Sequence, residues 1–158
     1  MLREVAQQLD DWILQRNFEF REEGLPQLRK CTIKVLGQTA LLELGVPLAL
    51  AATRDVDVVA NYEHSVELEF RRLLAARGKD LDALAHEAWM PRETKYCPIF
   101  EGEFVTLLCA DAEAVLVSKA LKAPEKNRVL LLEYLAQGAT ERFNQLAEKY
   151  SLDVEQFL

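Results

Sequence analysis

The apolar positions at the start of the chain follow a helical rhythm. Leu2, Val5, Leu9, Trp12 and Ile13 recur every three or four residues, which predicts an amphipathic helix over 2–18. Gly24 and Pro26 break it. The stretch "CTIKVLG", 31–37, reads as a short strand ending in glycine, and "QTALLELG", 38–45, as a short helix closed by Gly45. Pro47 punctuates, and "RDVDVVA", 54–60, is rich enough in valine to predict a strand. Helical spacing returns in "HSVELEFRRLLAAR", 64–77, up to Gly78, and a shorter helix is predicted over "DLDALAHEAW", 80–89. The stretch "ETKYCPIFEGEFVTLLC", 93–109, predicts a hairpin turning at Glu101-Gly102, with Pro98 confining its first strand to an edge. Four helical segments follow Cys109, with Pro124 suited to a helix first turn and Gly138 to a C-cap. The expected fold is α+β: one domain over 1–158, with a mixed-sheet core at about 30–109 and a helical extension over 111–158 packed on it.

The strand at 54–60 contradicts its own pattern at two positions. Val56, Val58, Val59 and Ala60 suit a sheet interior, yet Asp55 and Asp57 stand among them, and strands use aspartate sparingly. Side chains alternate along a strand, so the two carboxylates share one face, roughly 6–7 Å apart at their Cα atoms. Like charges that close need water, a cation or a basic group between them.

Composition narrows the classes. Of 158 residues, 50% are hydrophobic and 28% charged, an ordinary globular balance. The net charge of −7 argues against a protein that coats nucleic acid by bulk charge, though not against a local basic site. The first twenty residues read neither as a secretory signal nor as a membrane span, and no apolar run is long enough to cross a bilayer. Cys31, Cys97 and Cys109 are widely spaced, without a CxxC, and His64 and His86 lack metal-ligand spacing to them. Reduced thiols in a cytoplasmic protein are the expectation.

The order of the pieces carries the chemistry. A strand ends in Gly37, a helix opens with Gln38-Thr39, and the next strand reads Asp55-Val56-Asp57-Val58, with Gly37 and Asp55 separated by 18 residues. This arrangement resembles the nucleotidyltransferase (DNA polymerase β-like) superfamily. Thr53-Arg54 before the acidic strand and the later "VLVSKALKAPEKNRVLLLEYL" are similar to a small prokaryotic branch that includes toxin–antitoxin and abortive-infection proteins. The likeness spans about 30–137. It implies a nucleotidyltransferase-like core in which Asp55 and Asp57 hold Mg²⁺ or Mn²⁺, with Glu103 as a further ligand. It also implies that Gly37, Gln38, Thr39 and Arg54 face the phosphates of a nucleoside triphosphate, with Lys119 as a catalytic counter-charge. The acceptor hydroxyl would lie on RNA or protein. Three positions depart from the family pattern. Gln38 follows the glycine where Gly or Ser is usual. Asn127 stands after Lys126 where an aspartate is usual. The third carboxylate must be sought among Glu93, Glu101 and Glu103, at strand ends or in the turn. The alternative is a catalytically degenerate member that binds a nucleotide or a protein partner, such as a toxin–antitoxin component. Lys122, Lys126 and Arg128 are expected on a solvated face.

Overall fold

A computed structural model of the protein describes residues 1–82 and 88–158. Helix α1 spans Leu2–Glu22, one turn beyond the predicted limit, and Leu2, Val5, Leu9 and Ile13 are fully buried along its inner stripe. The first strand, β1 (Cys31–Val35), runs into α2 (Gly37–Leu44), and β2 (Asp55–Ala60) into α3 (His64–Ala75). A short strand β3 (Asp80–Asp82) precedes the hairpin of β4 (Tyr96–Glu101) and β5 (Val105–Ala110). Helices α4 (Ala112–Lys122), α5 (Arg128–Ala136) and α6 (Glu141–Lys149) follow, then a 3₁₀ turn at Val154–Phe157.

The five strands form one mixed sheet in the order β3-β2-β1-β5-β4. β1 is antiparallel to β2 and parallel to β5, β2 is parallel to β3, and β4 is antiparallel to β5. The register makes the faces consistent across strands. Ile33 stands opposite Leu107 and Val35 opposite Cys109, and these four, with Val56, Val58 and Leu81, are buried. The alternate set, including Thr32, Lys34, Asp57, Val59, Thr106 and Leu108, stays partly open. Helix α1 lies against α3, β4 and β5, while α2 and α6 flank α4. As expected, Pro98 sits on an edge strand, beside an irregularity in the β4–β5 ladder.

Two predicted elements differ. The helix expected over 80–89 is a strand at Asp80–Asp82, and its next five residues, 83–87, lie outside the described ones. Three residues are too few for a period to show, and what makes them a strand is pairing with β2, which also buries Leu81. Pro124 stands in a turn four residues ahead of α5 rather than in its first turn. That turn is held by Asn127, whose side-chain amide donates to the carbonyls of Lys119 (3.2 Å) and Ala123 (3.0 Å) at the end of α4. An aspartate there has no proton to donate to those carbonyls.

Two buried carboxylates fasten the far parts of the fold. Asp10 on α1 accepts from the backbone N–H groups of Glu103 (3.3 Å), Phe104 (2.7 Å) and Val105 (2.9 Å), closing the hairpin turn onto the helix. Gly102 permits this approach, since a Cβ there would stand 2.5 Å from the Asp10 Cγ. Asp111 caps α4 through the Ala114 N–H. It also accepts from the Lys95 N–H at 2.8 Å and from both Nε (2.8 Å) and Nη2 (3.0 Å) of Arg142 on α6.

Candidate functional site

The site grows from the carboxyl end of β1. The Leu36 N–H donates to the Asp57 carbonyl (2.8 Å), drawing the strand end against β2. Gly37 then turns the chain into α2 with φ +61°, a left-handed conformation that L side chains adopt at a cost. A Cβ here would also collide with the Asp57 Oδ2. Glycine is therefore required twice over, once by backbone and once by its neighbour. Among the described residues no side chain caps the N-terminus of α2.

The β2–β3 register aligns Asp55 with Asp80 and Asp57 with Asp82. Carboxylates directly opposite one another on one sheet face repel unless something stands between them. The outer pair is relieved by Arg54, whose Nε lies 2.7 Å from the Asp80 Oδ2. The inner pair raises the proton affinity of Asp57. The Asp57 carboxyl hydrogen-bonds Asp82, and its pKa is pushed up to about 6. Burial is the largest cause, followed by the hydrogen bond and charge of Asp82, with Asp55 adding to the rise and Lys119 opposing it.

A group of amines shares a cavity with Asp57. Lys119 projects from α4 and is half-buried, with its pKa lowered first by burial and then by the neighbouring charges of Lys126 and Lys122, against the pull of Asp57. Lys119, Lys122 and Lys126 line a cavity of about 190 Å³ together with Leu36, Gly37 and Asp57. Among the described residues none of the three amines has an ion pair or hydrogen bond. A second, more open cavity of about 570 Å³ shares Lys119, Lys126 and Asn127 with the first. Its remaining wall comes from Gln38, the 49–54 loop and α5.

The residues singled out in the sequence divide accordingly. Gly37, Asp57 and Lys119 converge on the inner cavity, and Gln38 and Arg54 line the outer one. Asp55 shares the Asp57 face but is solvent-exposed and lines neither cavity. Thr39 is buried and its hydroxyl donates to the Asp55 carbonyl (3.3 Å), so the expected phosphate contact is instead a clasp between α2 and β2. Glu103, expected as a metal ligand, lies in the β4–β5 turn beside Asp10. That turn is at the Cys31 end of β1, whereas Asp57 adjoins the Leu36 end. Glu101 ends β4 beside the same turn, and Glu93 is held by Lys149 (2.7 Å) and the Tyr150 hydroxyl (2.7 Å).

The carboxyl that does meet Asp57 is Asp82, which the sequence reading passed over. Its signal was present in "KDLD", where acid-apolar-acid at 80–82 repeats the alternation of 55–57. Lys122 and Lys126, expected on a plain solvated face, also belong to the cavity. Among the described residues no three Asp, Glu, His or Cys side chains form a group that could hold a metal ion. Asp57 and Asp82 nevertheless fit a magnesium-type cation. Asp82 stands directly opposite Asp57 on the neighbouring strand, and such an ion is commonly held by one or two carboxylates plus water and substrate phosphates. No protein-family model, curated protein or solved structure matches the chain. Among the described residues no helix is long and apolar enough to cross a membrane.

Proposed function

We propose that the protein binds a nucleoside triphosphate with Mg²⁺ or Mn²⁺ and transfers its nucleotidyl group to a hydroxyl acceptor on RNA or protein. The observation that carries this reading is the inner cavity itself. Lys119, Lys122 and Lys126, which have no ion pair or hydrogen bond among the described residues, line one cavity with Asp57 and Gly37, and Asp82 stands beside Asp57 on the neighbouring strand. Three amines clustered round one cavity, without a partner among the described residues, repel one another, and that cost falls when a polyanion enters, with a divalent cation able to join it at Asp57. The ion, when bound, would screen phosphate charge and acidify the attacking hydroxyl. Asp57 and Asp82 would hold it, with Asp55 at the margin. Lys119, Lys122 and Lys126 would position the phosphates, and Gly37 lets the main chain come close to them. Gln38 and Arg54 border the path outward, while Thr39 serves the fold.

A second reading has its own support, since the site lacks a third converging acid among the described residues. In that reading the protein binds the triphosphate without turning it over and serves as a sensor or partner module, for instance in a toxin–antitoxin pair. One experiment separates the two. The protein is incubated with Mn²⁺, each α-labelled nucleoside triphosphate and a cell lysate as acceptor pool. Label on a macromolecule with release of pyrophosphate, lost in Asp57→Asn, supports transfer. Metal-dependent binding by calorimetry without labelling supports the module, and absence of both would remove the nucleotide reading altogether.

A further inference from the structure

The two cavities adjoin and have unlike linings. The inner end carries the charged groups, whereas much of the outer wall is apolar: Ala49, Leu50, Ala52, Val129 and Leu130. Lys119, Lys126 and Asn127 form the boundary between them. At about 190 Å³ the inner end falls below the range of roughly 300–1,000 Å³ usual for a small-molecule site, while the outer end at about 570 Å³ lies within it. A ligand with a polyanionic end and a flat, largely apolar end fits this division.

Several polar groups around the outer end are held by the fold, apart from Lys119 and Lys126 at the boundary. The Gln38 Nε2 donates to the Ala51 carbonyl (3.0 Å) and the Thr53 hydroxyl to the Asp55 carbonyl (3.2 Å). Arg54 is held by Asp80. Both donors of the Asn127 amide are committed to α4. Both oxygens of Glu133 accept from the Ala49 N–H, at 3.0 and 3.2 Å. Strong selection between similar ligands comes from buried polar groups that are left unpaired by the wrong one, and apolar walls discriminate weakly.

We infer that the outer cavity seats the nucleoside of the triphosphate and accepts all four common bases with little preference. This rests on the proposed nucleotide-binding function and specifies its substrate class. The base lies against the Ala52 and Val129 wall, and the phosphates pass Lys119 and Lys126 into the inner end. Affinity for the base comes from apolar contact, which every base offers, while the Asn127 amide nitrogen and the Gln38 Nε2 donate to the fold rather than to a base edge.

The test is calorimetric titration of the protein in Mn²⁺ with ATP, GTP, CTP, UTP and inorganic tripolyphosphate. The four nucleotides are expected to bind within about threefold of one another, and each about tenfold tighter than tripolyphosphate. Ala52→Trp, on an exposed loop position, fills the outer end. It is expected to bring nucleotide affinity down to that of tripolyphosphate while leaving tripolyphosphate binding unchanged, which also reports that the variant is folded. One nucleotide favoured by more than about tenfold, or tripolyphosphate binding as tightly as the nucleotides, overturns the inference and leaves the inner site standing. Failure of nucleotides and tripolyphosphate alike overturns the inference together with the function it rests on.

Discussion

Asp10 and Asp57 are both held inside the fold and are treated in opposite ways. Asp10 receives three backbone N–H groups within one turn, so its charge is matched where it stands. Asp57 receives another carboxyl and shares a cavity with amines that nothing in the described fold engages. The first arrangement builds structure, and the second is where the proposed metal and triphosphate would bind. The contrast also runs along the sheet, with the satisfied acid at the hairpin-turn end of β5 and the strained pair at the carboxyl end of β1.

The sharpest break of that comparison is in turnover. Asp57→Asn is expected to lower nucleotidyl transfer by about a thousandfold, on the order of 4 kcal/mol of transition-state stabilisation. The same change should leave the melting temperature of the metal-free protein equal or higher, because it removes like-charge repulsion against Asp82. Label transfer and thermal melting on the same preparation check both halves. A variant that melts well below wild type would make Asp57 a structural acid like Asp10.

The converse change comes next in size. Asp10→Ala orphans three amides, and Asp111→Ala leaves Arg142, three-quarters buried, without its partner. Each should cost about 2–4 kcal/mol, lowering the melting temperature by roughly 5–15 °C. Asp111 should also contribute to acid sensitivity. Burial pushes its pKa up, but the Arg142 hydrogen bond and the Lys95 and Ala114 amides outweigh that and hold it below the usual value. Its stabilising contribution is therefore present above the ordinary carboxylate range and lost as pH falls through the depressed value. Denaturant melts of Asp111→Asn against wild type between pH 6 and 3 check this, with the variant expected to lose less stability on acidification.

Metal sharpens the contrast more gently. Millimolar Mn²⁺ should raise the wild-type melting temperature by several degrees, about 1–2 kcal/mol by mass action, and should not raise that of Asp57→Asn. A shift of equal size in both proteins would place the ion elsewhere. The smallest effect is the pH response of Asp57 itself. Its folded pKa of about 6 lies above the ordinary value of 3.8, so its proton favours the folded state between those two pH values. Stability should fall progressively as pH rises from 4 through 6, then stay level with respect to this group. Denaturant melts across that range, with Asp57→Asn lacking this component, measure it.

Much of this molecule is local in origin. Apolar spacing foretold α1 and α3, the hairpin with its edge proline, and the strand that bears Asp55 and Asp57. Each depends on a periodicity or a turn residue contained within a dozen positions. The glycine at 37 was legible because a turn between strand and helix leaves few other choices. Only the tertiary structure decided which acid would stand beside Asp57. Glu103 had the right order in the chain, but the hairpin carries it to the far end of β1, where it adjoins Asp10. Asp82 stood in an acid-apolar-acid triplet too short to fix a strand, and came to stand beside Asp57 because parallel pairing with β2 fixed its register. The same holds for Lys122 and Lys126, ordinary surface residues by sequence, which the packing of α4 and its Asn127 turn bring round one cavity. Local pattern sets which face a side chain takes, whereas the meeting of charges depends on register between segments far apart in sequence, which no short-range preference encodes.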